Sequence, residues 1–175
     1  IAIDPMFSQT AARSDEWVPV KPGTDGALAF GMMNYIVEQG WHDIDFLREH
    51  SVAACLVKEA DGKFLRQADL AGSQPSADDA KNAATSLVMG KDGTPGIVGE
   101  VADPELEGSY EVEGIKVSTA YQLLLDRIAE YPVSKAAEIT GVSEDLIKDV
   151  AEQYARNKPS SIYTFFGIDH YWNGH

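Results

Sequence analysis

The chain has 175 residues, and its 14 Lys and Arg stand against 28 Asp and Glu, a formal net charge of −14. That balance argues against a nucleic-acid surface, which needs clustered Lys and Arg, and against a polybasic membrane patch. Hydrophobic residues make up 44% of the sequence, enough to bury a core, and the single cysteine, Cys55, rules out an internal disulfide and a four-cysteine metal or iron–sulfur site. No apolar run approaches about 18 residues, so no membrane span is expected, and no signal peptide is visible.

The chain opens Ile1-Ala2-Ile3-Asp4-Pro5, which reads as a buried strand entered in its middle and stopped by proline. It ends on a turn signal, Asn173-Gly174-His175, so the whole is expected to be a segment of a longer protein. Residues 8–13 fit one helical turn and residues 17–20 a second extended piece. Pro22-Gly23 forces a turn, and Thr24 or Asp25 can cap the helix that follows. That helix is expected over about 26–39, because Leu28, Met32, Tyr35 and Ile36 share one face, and Gly40 ends it. Asp43 can cap a shorter helix through about residue 49.

The middle differs. Residues 54–58 and 63–66 flank Ala60-Asp61-Gly62, a hairpin signal. Residues 67–84 are small and polar, residues 85–89 read as a strand, and residues 90–96 as a turn. Residues 100–113 hold Glu100, Asp103, Glu105, Glu107, Glu111 and Glu113 with no base, which reads as a solvated insertion with a hairpin at Glu113-Gly114. Helices dominate the last third. Ser118 starts one with Tyr121, Leu124, Leu125 and Ile128 on one face, and Pro132 breaks it. A short helix over 134–140 closes at Gly141. Ser143 caps the next, with Glu144 and Asp145 favouring its dipole and Leu146, Ile147, Val150, Ala151 and Tyr154 as its core face. Residues 161–166 read as a buried strand ended by Gly167. Helices alternating with buried strands predict an α/β fold with a largely parallel sheet.

Asp4 falls at the carboxyl end of a predicted strand, the edge where open α/β sheets bind ligands, and a carboxylate there can accept hydrogen bonds from a ribose diol. The competing reading is a turn-forming Asp-Pro. Asp25 opens a helix after a Pro-Gly-Thr turn. It can accept two N–H donors of a guanine base, or simply cap the helix. The stretch from Gly167 through Gly174, with Asp169, His170 and Asn173, is rich in groups that contact polar heterocycles. No paired-histidine metal motif, dinucleotide glycine fingerprint, Walker A loop or nucleophile elbow is present, and no metal is assigned to protein side chains. Cys55 reads as a small buried hydrophobe.

Taken together, Ile3-Asp4-Pro5, Thr10-Ala11-Ala12, Asp15, Trp17, Pro19, Pro22-Gly23-Thr24-Asp25 and Ala27-Leu28 resemble the bis-molybdopterin guanine dinucleotide oxidoreductases, the dimethyl sulfoxide reductase family. Tyr131-Pro132 and the run from Ala137 to Val142 are similar to that family's helix pair, and Gly167 through Gly174 to its next cofactor-contacting stretch. The resemblance implies that residues 1–175 are part of one nucleotide-binding α/β domain of a larger catalytic subunit. That domain would be Rossmann-like and three-layered, with a largely parallel sheet and a variable insert of small hairpins at about 67–113. It implies molybdopterin guanine dinucleotide with molybdenum as cofactor. Asp4 and Pro5 would lie at the guanosine ribose, Gly23, Thr24 and Asp25 would line the guanine pocket, and Gly167, Asp169, Asn173 and Gly174 would lie near the second pterin dinucleotide or the active-site funnel. The metal ligand and any iron–sulfur cluster lie upstream, outside this segment. Two departures stand out: Met6 where the family often has Arg after Asp-Pro, and Asp169 and Trp172 where it often has amide or small hydroxyl residues.

By the same resemblance, the whole enzyme would reduce a small acceptor such as a sulfoxide or N-oxide, nearest in style to the anaerobic dimethyl sulfoxide reductases. Its partners would be the remaining domains of the catalytic subunit, a membrane-anchor subunit, and an electron-transfer subunit carrying iron–sulfur clusters, with no nucleic acid. It implies export to the outer face of a bacterial membrane or the periplasm, although no localisation signal is read from the segment itself. The segment alone is expected to be inactive. The alternative is a non-catalytic α/β module that binds a nucleotide or a protein.

Overall fold

The computed structural model describes residues 1–70 and 85–164. In chain order the elements are β1 (Ala2–Ile3), β2 (Trp17–Val18), α1 (Asp25–Glu38), α2 (Ile44–His50), β3 (Leu56–Lys58), β4 (Leu87–Met89), β5 (Pro95–Ile97), β6 (Ser109–Val112), β7 (Ile115–Thr119), α3 (Ala120–Ala129), α4 (Val133–Thr140) and α5 (Glu144–Arg156). Single 3-10 turns lie at Ala11–Arg13 and Gln67–Asp69. The chain forms two compact units, one of Ile1–His42 with Arg127–His175 and one of Asp43–Asp126.

In the first unit, β1 and β2 pair in parallel, Ala2 opposite Trp17 and Ile3 opposite Val18. Helices α1, α4 and α5 pack into one core with Val18, Val20, Leu28, Met32, Ala136, Ile147 and Val150. The i, i+4 spacing of Leu28 and Met32 is what turns one face of α1 inward. Helices α1 and α4 meet at a small-residue contact, where a Cβ added to Gly31 would stand 2.4 Å from the Ala136 Cβ. Gly141 closes α4 with φ +75°, a left-handed position that glycine adopts without strain, and its N–H donates to the Ala137 carbonyl. The Ser143 hydroxyl oxygen accepts the Leu146 N–H at 3.3 Å and caps α5. Further along α5, the Gln153 amide donates to the Glu16 carboxylate at 2.9 Å, tying that helix to the start of β2.

The second unit is built of hairpins. Strands β3, β7 and β6 form an antiparallel sheet in that order, and β4 pairs antiparallel with β5. Glu113 and Gly114 have φ values of +49° and +82°, so the β6–β7 turn carries the two positive φ angles that suit a tight two-residue hairpin. Leu56, Leu65, Leu87, Met89, Val112 and Val117 form one core cluster, and Ala53, Ala54, Cys55, Val88, Leu106 and Tyr121 another.

Three expectations are corrected. The mixed α/β class holds, but the sheet is not largely parallel: among the described residues β1–β2 is the parallel pair and the other strand pairs are antiparallel. Short turns link β4 to β5 and β6 to β7, and a short turn returns the chain antiparallel, whereas a parallel return needs a long crossover. Residues 161–164, expected as part of a buried strand, have no regular structure and no strand partner among the described residues, and Ile162 and Tyr163 are exposed. Residues 165 and 166 lie outside the described residues. The helix expected from Ser118 starts at Ala120, because Ser118 and Thr119 complete β7. The Thr119 hydroxyl accepts the Gln122 N–H at 3.0 Å and so takes the capping role.

Candidate functional site

Two parallel strands end on the same edge of their sheet, so the loops after β1 and β2 leave from one side. Asp4 and Pro5 follow β1, and residues 19–25 follow β2. Asp4 is half-buried and held through its backbone: its N–H donates to the Val18 carbonyl at 3.1 Å, and its carbonyl accepts the Trp17 indole N–H at 2.8 Å. One side-chain oxygen, Oδ1, accepts the Met6 N–H at 2.9 Å, which is the Asp-Pro turn anticipated from the sequence. The other oxygen carries no hydrogen bond among the described residues. Beyond Pro5 the loop is exposed, and the Phe7 ring stands edge-on to Trp17 at 5.2 Å between centroids.

The second loop is anchored on the C-terminal end of α4. The Lys21 N–H donates to the Thr140 carbonyl at 3.0 Å, and its ammonium reaches the Glu138 carbonyl at 3.4 Å. Lys21 through Thr24 then form a turn closed by the Thr24 N–H on the Lys21 carbonyl at 3.2 Å. Pro22 takes its second position, and Gly23, at φ +75°, takes the third, where a type II turn requires positive φ. The Thr24 hydroxyl donates to the Lys21 carbonyl at 2.7 Å and makes no capping bond to α1. Asp25, the first residue of α1, is half-buried, and its carboxylate makes no hydrogen bond or ion pair among the described residues. Neither side chain therefore does the capping that their position suggested.

Asp4, Pro5, Gly23, Thr24 and Asp25 thus lie on two loops at one sheet edge, each loop locked by backbone hydrogen bonds. Gly167, Asp169, Asn173 and Gly174 lie outside the described residues. Two supports of the site escaped the sequence reading. Trp17 was read as an extended residue and as part of the family resemblance, with no contact assigned to it, although its indole clamps the Asp4 carbonyl. Lys21 was read only as part of a turn, although it ties the loop to α4. Neither contact leaves a local signal, since the partners are 13 and more than a hundred residues apart. Among the described residues no helix is long and apolar enough to cross a membrane, and no three His, Cys, Asp or Glu side chains converge on a metal-ion site.

No family model matches the chain. It is 34% identical over 183 residues to the alpha chain of dimethylsulfide dehydrogenase from Rhodovulum sulfidophilum, a match covering 99% of this chain and 20% of that one. It is 30% identical over 207 residues to the alpha chain of perchlorate reductase from Dechloromonas aromatica, covering 98% of this chain and 22% of the relative. Its backbone is similar to acetylene hydratase from Pelobacter acetylenicus, with a TM-score of 0.52 over 95% of this chain and 14% of that one. At 22% identity that likeness speaks to the fold alone. Across nearly its whole length, the chain is similar to one segment of molybdopterin oxidoreductase catalytic subunits, the dimethyl sulfoxide reductase family, as the resemblance implied. It spans about a fifth of the length of the curated relatives it matches.

Proposed function

We propose that the chain is a segment of a molybdenum-dependent oxidoreductase catalytic subunit, and that its two edge loops hold the guanosine part of molybdopterin guanine dinucleotide. The observation that carries this reading is the unspent carboxylate of Asp25. Asp25 is half-buried at the first position of α1, and its carboxylate accepts from none of the helix N–H groups among the described residues, so both oxygens are available to a ligand. Two carboxylate oxygens match the two N–H donors on one edge of guanine. The free oxygen of Asp4 would accept from a ribose hydroxyl, and Gly23, lacking Cβ, lets the base approach the turn. The residues present therefore fit the nucleoside part of the cofactor. Met6 brings no cation to the adjoining phosphates.

When bound, the metal–dithiolene group would supply oxygen-atom or two-electron transfer. The residues of this chain would bind and orient the distant nucleoside end and so fix the position of the reactive end. On the same reading, β1 and β2 would be two strands of a Rossmann-like parallel sheet of three layers in the whole subunit. Residues 1–175 would form part of a single nucleotide-binding domain with its insert at about 67–113. Gly167, Asp169, Asn173 and Gly174 would face the second dinucleotide or the substrate funnel. The whole enzyme would reduce a small acceptor such as a sulfoxide or N-oxide and receive electrons through an iron–sulfur subunit docked to a membrane anchor. It would work in the periplasm or on the outer face of the membrane, and the segment alone would be inactive.

Calorimetric titration of the chain with GMP, with AMP as control, tests the nucleoside reading. Guanine-selective heat is expected. Each charge-assisted hydrogen bond is worth about 1.5–3 kcal/mol, so losing two with Asp25→Ala should weaken GMP binding by more than about a hundredfold and leave AMP unchanged. Equal heats for the two nucleotides would contradict it.

A further inference from the structure

We propose that residues 98–104 are a strap that opens and closes over the cleft of the Asp43–Asp126 unit, and that Asp103 latches it shut by bridging Arg48 and Lys91. This does not depend on the guanosine reading. The cleft has a volume of about 740 Å³, and every strap residue except Glu100 lines it. So do Asp45, Arg48 and Glu49, at i, i+3 and i+4 of α2, and the buried residues Ala54, Cys55 and Val88. The Asp103 carboxylate joins strap to helix. One oxygen meets the Arg48 guanidinium at 2.9 Å, and the other binds Lys91 from the β4–β5 turn.

The strap is tied at its ends and loose between them. The Val98 N–H donates to the Ser86 carbonyl at 3.1 Å, and the Glu105 N–H, just past the strap, donates to the Met89 carbonyl at 2.8 Å. Among the described residues, the backbone between these points bonds only to the adjoining Ile97 carbonyl, from Glu100 at 3.0 Å and Val101 at 3.4 Å. Two side chains then hold the middle. Val101 seats where glycine leaves room, since a Cβ on Gly96 would stand 2.5 Å from its Cγ2, and it packs on the cluster that contains Cys55 and Val88. Asp103 is the other. Its φ of +53° is left-handed, a conformation that a non-glycine residue keeps only when its contacts hold it. Its side chain is 48% exposed and that of Lys91 is 56% exposed, and ion pairs so open to water are weak. The latch is therefore easily released. Strands β3, β7 and β6 are paired in one sheet and open less readily.

Alkylation of Cys55 in the full-length protein, followed by peptide mapping, reports the opening, because the thiol lines the cleft and is buried while the strap is shut. Asp103→Asn removes the charge and keeps a residue that tolerates the left-handed backbone, so it releases the latch without disturbing the turn. The variant should be alkylated about fivefold faster. Salt at about 1 M should bring the unaltered protein toward the variant's rate and leave the variant nearly unchanged. Hydrogen exchange read by mass spectrometry should quicken in the variant over residues 98–104 and stay the same over β3 and β7. Equal alkylation rates, or the same salt dependence in both proteins, would overturn the proposal. So would exchange that quickens equally over β3 and β7, because the thiol would then be reached by unfolding of the unit and not by opening of the strap.

Discussion

Gly31 shows how a single missing side chain sets a helix contact. Any Cβ there would stand 2.4 Å from the Ala136 Cβ, which belongs to no flexible side chain and cannot swing away. Gly31→Val should therefore push α1 and α4 apart and cost about 3 kcal/mol, read as a lower denaturant midpoint. An unchanged midpoint would show that the helices can slide. Asp103 makes a pH-dependent contribution. The hydrogen bond from Lys91, which outweighs partial burial, and then the charge of Arg48 lower its pKa below the ordinary 3.8. A depressed carboxylate stabilises the fold fully above its unfolded pKa, and that contribution disappears as the pH falls below 3.8 through the folded value. Asp103→Asn should flatten the acid limb of the stability profile, and an unchanged limb would deny the pair any role. Burial raises the Cys55 thiol, so at neutral pH it should react with iodoacetamide more slowly than a free thiol. The roles of Asp4 and Asp25 were legible only as alternatives. Capping and ligand binding call for the same residue type at the same place, and the structure shows only that neither Thr24 nor Asp25 bonds its side chain to the start of α1.

At the scale of elements, the helices were readable because their signals are local. The faces of α1 and α5 repeat every three or four residues, and Asp43 and Ser143 cap α2 and α5 as expected. Ser143→Ala should remove the bond to the Leu146 N–H and lower stability by about 1 kcal/mol, measured by urea unfolding. The hairpin at Glu113-Gly114 was readable for the same reason. Strand pairing was not. Strands of two or three residues have no usable period, and the choice between parallel and antiparallel partners depends on residues far along the chain. Residues 161–164 show the cost of reading apolarity alone: they are apolar enough for a strand, yet Tyr163 is 86% exposed.

For the whole molecule, the composition pointed to a buried core but could not show how much apolar surface stays uncovered. Ile1, Met6 and Phe7 are exposed together around the end of β1. Surface of that kind is normally buried against neighbouring structure, so the isolated chain should self-associate, and sedimentation velocity should show mass above the 19.0 kDa monomer that falls on dilution. A monodisperse monomer at all concentrations would contradict that. The division at residues 43 and 126 was not legible either, because the hairpin signals begin later and the acidic run marks only part of the unit. The most direct test of the central claim uses the full-length enzyme. GMP released by acid hydrolysis, and molybdenum, would be counted per polypeptide for the unaltered protein and for Asp25→Ala. If the edge loops hold the guanosine, the variant retains less of both, in step. Full retention of both would show that Asp25 is not a cofactor contact.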